Sequence, residues 1–285
     1  MLRLESLTKR YKNGHTAVRD VDLDLEPGVL GLVGPNGAGK TSLMQMIATI
    51  TKPTAGRILF KGEDIARKPD GLRNALGYLP QDFGVYDNLT AREFLRYLAA
   101  MKGITDRAKI DEMLERVNLH GVAKRRVGGF SGGMRQRLGI AQALINDPEV
   151  LVVDEPTAGL DPEERVRFRN IMSEIGFGKL VIFSTHITSD IESIATRIAV
   201  MYEGRILTCD TPENLMQRAK GAVWSMTVPS EQYERLRAQW QISTVIRRAE
   251  GVQIRIVGGT RPSDDAVSAE PSLEDAFLHV MREAA

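Results

Sequence analysis

Apolar and polar residues alternate over residues 1–7 and again over 17–25, the period of strands with one covered face, and Asn13-Gly14 between them reads as a turn. VLGLVG at 29–34 is apolar throughout, as a buried strand is, and runs directly into a glycine-rich loop. TSLMQMIATI then has helical character and stops before Lys52-Pro53. Residues 56–60 and 75–79 are further strand candidates. The stretch from about 90 to 120 is helix-rich, with Leu95, Leu98, Met113, Leu114 and Val117 as apolar anchors. Beyond a glycine cluster at 128–133, Met134, Leu138, Ala141, Leu144 and Ile145 fall on one helical face, and Ser131 is placed to cap that helix. A strand at 150–154, a helix near 162–175 and a strand at 180–185 follow. IAVMY and RILTC form a hairpin joined at Glu203-Gly204, and Thr211-Pro212 opens another helix. Apolar strands separated by helices predict an α/β fold with a largely parallel, buried sheet.

Near residue 220 the texture changes. Val223–Val228 alternates, 231–240 is amphipathic, and strands are expected near 243–247 and 252–257. After the polar run GGTRPSDDAVSAEP, the segment SLEDAFLHVM puts Leu273, Ala276, Phe277 and Val280 on one helical face, with Ser272 and Asp275 as its capping pair. The pattern predicts a main domain over 1–218 and a small α+β appendage over 219–285. The appendage reads equally as a stabilising cap or as a regulatory module.

The formal net charge of +1 offers no electrostatic signature for nucleic acid or an anionic membrane surface. Cys209, the single cysteine, can form neither an internal disulfide nor a structural zinc site, which fits a reducing compartment. The start MLRLESLTKR is charged from its third residue and does not read as a signal peptide. No stretch approaches the roughly 20 apolar residues of a spanning helix, so action at a membrane would require a partner.

Two segments carry nucleotide chemistry. Gly34-Pro35-Asn36-Gly37-Ala38-Gly39-Lys40-Thr41 matches G-x-x-x-x-G-K-[ST] without a mismatch, with Ser42 next. Glycines let successive N–H groups turn toward phosphate oxygens, Lys40 adds positive charge at the β- and γ-phosphates, and Thr41 offers a hydroxyl to Mg²⁺. The following helix aims its positive end at the same anion. VLVVDE at 150–155 ends a buried strand in two carboxylates. Asp154 is placed to hold Mg²⁺ through water, and Glu155 to act as general base on the attacking water. Alone, such a strand end is equally an acidic turn; beside a phosphate loop it is a second nucleotide motif. Between the two lies Phe130-Ser131-Gly132-Gly133-Met134-Arg135-Gln136-Arg137. A serine and two glycines at a helix start can form another anion-binding nest or simply a capped hinge.

That segment resembles the signature of ATP-binding cassette (ABC) ATPases and stands just upstream of the Asp-Glu strand, as in that family. The resemblance covers residues 1 to about 218 and implies an ABC cassette: a mainly parallel core sheet, an antiparallel N-terminal sheet and a helical subdomain at about 85–145. It implies that Ser131, Gly132, Gly133 and Met134 close over ATP held by another subunit, giving a head-to-tail dimer: a homodimer, since one chain carries every motif, or a heterodimer with a related ATPase. Gln81, in LPQDFG, then matches the family's glutamine that contacts Mg²⁺ or water and senses the membrane partner. Asp161, in Ala158-Gly159-Leu160-Asp161, matches the loop crossing the dimer interface. His186 matches the switch histidine at the γ-phosphate, and it follows a sheet strand where α/β folds bind ligands. Tyr11 matches the aromatic stacked on adenine, with Val18 close to it.

The resemblance implies ATP and Mg²⁺ as ligands, a separate polytopic permease as partner, and a cytoplasmic location at the inner face of the membrane. ATP binding would close the dimer and move the region 85–125 against the permease; hydrolysis would reset it. The signature departs from the common L-S-G-G-Q form at Phe130 and Met134. The run FSGGMRQRLGIAQAL and the end PSLEDAFLHV are similar to export-type subunits for drugs, antibiotics and sodium. The competing readings are an importer subunit, a ribosome- or DNA-acting ABC ATPase, and a module that has lost its activity. Too few residues separate Lys40 from Ser131 for the coiled coil of repair members, only one cassette is present, and the charge gives no support to a nucleic-acid partner. Lys40, Asp154, Glu155 and His186 are all present, against a lost activity.

Overall fold

The computed structural model describes residues 1–157, 160–185 and 187–284. The chain divides into two compact units, the first ending at Ile206 and the second beginning at Leu207. The first opens with β1 (Leu2–Arg10) and β2 (Thr16–Leu25), then β3 (Gly28–Val33), α1 (Lys40–Ile47), β4 (Ala55–Phe60), β5 (Glu63–Asp64), α2 (Pro69–Ala75) and β6 (Leu76–Leu79). Three helices follow: α3 (Ala91–Met101), α4 (Arg107–Arg116) and α5 (Gly132–Leu144). β7 (Val150–Val153), α6 (Pro162–Gly176), β8 (Leu180–Thr185), α7 (Thr188–Glu192), β9 (Arg197–Tyr202) and β10 (Arg205–Asp210) complete the alternation, β10 running across the boundary between the units.

The core sheet has the order β10-β9-β3-β8-β7-β6, and β9, β3, β8, β7 and β6 pair in parallel. Every residue of β3, β7 and β8 is buried, which is why these segments are apolar throughout rather than alternating. The antiparallel sheet β2-β1-β4-β5 has the expected half-covered strands. Its hairpin is closed at Asn13-Gly14, where the Gly14 N–H donates to the Tyr11 carbonyl at 3.0 Å. Among the helices, α3 starts on a capping box in which Thr90 and Glu93 exchange bonds, and Ser131 caps α5 by accepting from the Met134 N–H at 3.3 Å. Leu138, Ala141, Leu144 and Ile145 are buried as the helical face requires, whereas Met134 is only partly covered.

The second unit contains α8 (Pro212–Arg218), β11 (Val223–Val228), α9 (Ser230–Gln239), β12 (Gln241–Arg248), β13 (Gly251–Val257), β14 (Val267–Ser268) and α10 (Leu273–Ala284). Its antiparallel sheet runs β12-β13-β11-β14. Met226, Val228, Ile254 and Ile256 form its core, with Trp224, Tyr233 and Trp240 packed on them. The division falls before the expected 218/219 because α8 packs against α10 and so belongs to this unit.

One buried charge ties the unit together. Asp275 is fully buried on α10. Its carboxylate accepts from Arg255 Nη2 on β13 at 2.5 Å, from Ser243 Oγ on β12 at 2.5 Å, and from the Ser272 N–H and hydroxyl at 2.9 Å. Burial pushes this carboxyl up, but the hydrogen bonds from Arg255, Ser243 and Ser272 outweigh burial and hold it below the usual aspartate range. A carboxyl depressed in the folded state contributes stability above its unfolded pKa and loses it as pH falls through the folded value. Both tryptophans of the chain, Trp224 and Trp240, lie in this unit, so tryptophan emission follows its unfolding selectively. Asp275→Asn is expected to destabilise the unit by about 3 kcal/mol at neutral pH, the low end of the range found when one partner of a buried pair is removed. The gap should close as pH drops below about 4. Superimposable urea transitions of the two proteins at pH 7 would contradict this.

Candidate functional site

The parallel strands end in register, and their carboxyl ends place the chemistry. Leu79 pairs with Val153, Val153 with Phe183, and Val33 with Thr185. The residues just past these ends therefore converge: the loop Gly34–Gly39 after β3, Gln81 after β6, and Asp154-Glu155 after β7. This is where open α/β sheets bind ligands.

The loop wraps so tightly that two of its glycines have no substitute. Gly39 has φ of 106°, and a Cβ there would stand 2.0 Å from the Ala17 carbonyl oxygen. A Cβ at Gly34 would stand 2.2 Å from the carbonyl oxygen of Met201 on β9. Lys40, 5% exposed, lies at the loop's centre. Its Nζ donates to the carbonyls of Gly34 at 2.8 Å and Pro35 at 3.1 Å, and stands 3.9 Å from Oε1 of Glu155. Burial lowers the Lys40 pKa; Glu155 and then Asp154 oppose that shift.

A cavity of about 410 Å³ opens over this loop, within the range of roughly 300–1,000 Å³ usual for small-molecule sites. Asn36 to Ser42, Tyr11, Gln81 and Glu155 line it, as do two residues that sequence patterning did not single out, His15 and Ala17. Tyr11 is held at the rim by a 3.0 Å hydrogen bond between its hydroxyl and Ser42 Oγ, with Lys9 Nζ 5.3 Å above its ring. Val18 is completely buried and is not among the residues lining the cavity, whereas its neighbour Ala17 is.

Asp154 and Glu155 are organised by a residue from the adjacent strand. Ser184 Oγ on β8 donates to Asp154 Oδ1 at 2.6 Å and accepts from the Glu155 N–H at 2.9 Å. It is a buried polar side chain at the end of an apolar strand, which is the signal by which it could have been found. Glu155 itself has φ of 45°, a left-handed conformation costly for a side chain with a Cβ. Gln81 Nε2 reaches Glu155 Oε2 at 3.4 Å, a long contact. Burial, followed by the charge of Asp154, pushes the Tyr78 hydroxyl up to about 12, so it stays protonated beside the carboxylate.

The donor set fits Mg²⁺. Asp154 Oδ2 is buried and has no hydrogen-bond partner among the described residues. Thr41 and Gln81, which line the cavity, add a hydroxyl and an amide oxygen. Among the described residues no cluster of three or more His, Cys, Asp or Glu side chains is placed to hold a metal. One carboxylate with neutral oxygens suits a hard cation that keeps water and phosphate oxygens as its other ligands.

Ser131, Gly132, Gly133 and Met134 lie outside this cavity, at the start of α5, with Ser131 and Gly132 exposed. Asp161 also lies outside it and caps α6 by accepting from the Glu164 N–H at 2.9 Å. His186, Ala158 and Gly159 lie outside the described residues.

The sequence profile of the ABC transporter family matches residues 18–158. The uncharacterised ABC transporter ATP-binding protein YxlF of Bacillus subtilis (strain 168) is 41% identical over 232 residues, 80% of this chain and 77% of that protein. The Nod factor export ATP-binding protein I of Burkholderia pseudomallei (strain 1710b) is 37% identical over 222 residues, 76% of this chain and 73% of that protein. Among solved structures, the dimeric post-hydrolysis state of the ATP-binding cassette MJ0796 bound to ADP and Pi superposes with a TM-score of 0.68 at 26% identity, covering 74% of this chain and 98% of that one. With a phosphate loop, an Mg²⁺-competent carboxylate and this kinship together, the chain belongs to the ABC transporter ATP-binding family, whose cassettes bind ATP with Mg²⁺ and hydrolyse it.

Proposed function

We propose that this chain is the motor subunit of an exporter: two copies close head to tail over two ATP molecules and drive a separate membrane permease. The observation that carries this reading is the separation of two anion-binding cradles within one chain. The loop at Lys40 forms one, with Gln81 and Glu155 at its cavity. The Ser131-Gly132-Gly133 nest lies away from that cavity, with Ser131 and Gly132 exposed and so open to a nucleotide held by another copy. The cassette MJ0796 is dimeric in its post-hydrolysis state bound to ADP and Pi, which supports a dimer here.

In this reading Lys40 exchanges the Gly34 and Pro35 carbonyls for γ-phosphate oxygens. Tyr11 stacks on the adenine at the rim. Glu155, kept in place by Ser184, takes the proton of the attacking water. Mg²⁺ held through Thr41, Gln81 and Asp154 would neutralise charge developing on the phosphates. Asp161 meets the second copy, and His186 is assigned to the γ-phosphate from its place after β8. Closure is driven by contacts that only the triphosphate makes, and hydrolysis removes them.

Two observations support a membrane partner. Among the described residues no helix is long and apolar enough to cross a membrane. The helical region meanwhile exposes an apolar row: Tyr86 is 53% exposed, Tyr97 47% and Met101 70%, with the Tyr86 and Tyr97 rings edge to face at 5.7 Å. Exposed aromatic side chains of this kind suit docking of a partner's apolar element. The export direction rests on the signature run, the C-terminal segment and the kinship with a Nod factor export subunit.

Glu155→Gln is expected to keep ATP affinity, to form a stable dimer with ATP and Mg²⁺, and to lose turnover by about a hundredfold or more, the scale of general-base catalysis. Turnover equal to the parent chain in a single-turnover assay would show that Glu155 is not the base. For direction, the complex with its permease in proteoliposomes should move substrate away from the ATPase-bearing face on addition of ATP. Accumulation on that face would mean import.

A further inference from the structure

Arg137 lies on α5 beyond the Ser131–Gly133 nest, and its guanidinium joins three helices. Nη1 donates to the carbonyl oxygens of Val117 at 3.2 Å and Asn118 at 2.9 Å, at the end of α4. Nε stands 3.0 Å from Oε2 of Glu164, in the first turn of α6. The side chains are 13% and 15% exposed. The Nε–H does not point along the line to the carboxylate, so the contact is an attraction of charges rather than an aligned hydrogen bond. Glu164 also lies 3.6 Å from Arg167 Nη1, and its own N–H is the one Asp161 caps.

Glu164 touches the nest directly as well. A Cβ built at Gly133 would stand 3.2 Å from Glu164 Cγ and 3.8 Å from Leu160 Cδ2. The backbone of the signature therefore rests on the first turn of α6, immediately after Asp161. An ion pair this sheltered from water is screened little by salt, and an arginine fork can hold carbonyls and carboxylate at once where a lysine cannot.

We infer that the Arg137–Glu164 pair is a positioning strut. It fixes the Ser131-Gly132-Gly133 nest against the Asp161 end of α6, so that the two segments assigned to the second copy are presented to it as one rigid body. This rests on the head-to-tail dimer proposed above. Neither residue touches nucleotide in its own chain; they act by holding the surface that meets a nucleotide in the other.

The test uses the full-length chain carrying Glu155→Gln, with ATP and Mg²⁺, and follows dimerisation by sedimentation equilibrium. Glu164→Gln removes the charge, preserves the shape and leaves the two carbonyl bonds of Arg137 intact. It is expected to raise the dimer dissociation constant about tenfold, the size of a coupling between groups in direct contact. The affinity of the dilute monomer for a fluorescent ATP analogue should not change. Arg137→Lys should weaken the dimer in the same way, and the double variant should be no weaker than the weaker single one. An unchanged dimer constant in Glu164→Gln overturns the inference, as does a loss of monomer ATP affinity equal to the loss of dimerisation, or full additivity in the double variant. A Glu155→Gln parent that does not dimerise defeats the dimer reading and the strut with it, whereas a dimerising parent indifferent to Glu164→Gln defeats the strut alone.

Discussion

An ammonium group removed almost wholly from water needs compensation close at hand, and Lys40 finds it in the carbonyls of Gly34 and Pro35 and the carboxylate of Glu155. Those partners can surround the lysine only if the chain after β3 turns back on itself within a few residues, past the backbone of Ala17 and Met201. The close approaches at Gly34 and Gly39 are the consequence. The strand feeding the loop must be anchored on both sides, and β3 is, between β8 and β9. The same parallel register brings Glu155 to the lysine. A phosphate group offers an ammonium a stronger counter-charge than two carbonyl dipoles, which favours the exchange proposed for Lys40.

The two carboxylates that follow β7 depend on the neighbouring strand. Ser184 bonds both Asp154 and the backbone of Glu155, and Glu155 keeps a left-handed φ that an isolated turn would not hold. Asp154 is left with one buried oxygen that has no hydrogen-bond partner among the described residues. A site with that much polarity held in reserve fits a cation shared between protein and nucleotide better than a metal enclosed by protein alone.

Much of this was legible in the residues because the physics is local. Buried parallel strands are apolar throughout, the phosphate loop needs glycines at fixed offsets, and the Ser272–Asp275 capping pair is a short-range pattern found as expected. Where tertiary structure decides, local pattern falls short. Ala17 and Val18 are consecutive buried residues beside a register irregularity in the β1–β2 pairing, so alternation could not say which of them faces the loop. α2 carries Gly71 and buries only Leu72, leaving no periodic face to read. Ser184 serves residues far away in sequence, and Arg137 and Glu164 meet only because the start of α5 lies against the first turn of α6; neither pairing has a local signal. The compact units divide after Ile206 for the same reason, since α8 joins the second unit through α10.

The central claim is that one chain carries half of each ATPase site. Mixing two inactive variants tests it most directly. Lys40→Ala disables a chain's own cradle and spares its signature, while Ser131→Arg does the reverse. Steady-state ATPase activity of each alone and of an equimolar mixture is the measurement. Each variant alone should be inactive, and the mixture should recover activity, because a mixed dimer contains one site with an intact Lys40 and an intact Ser131. A mixture as inactive as its components, or full turnover in Ser131→Arg alone, would contradict the shared site.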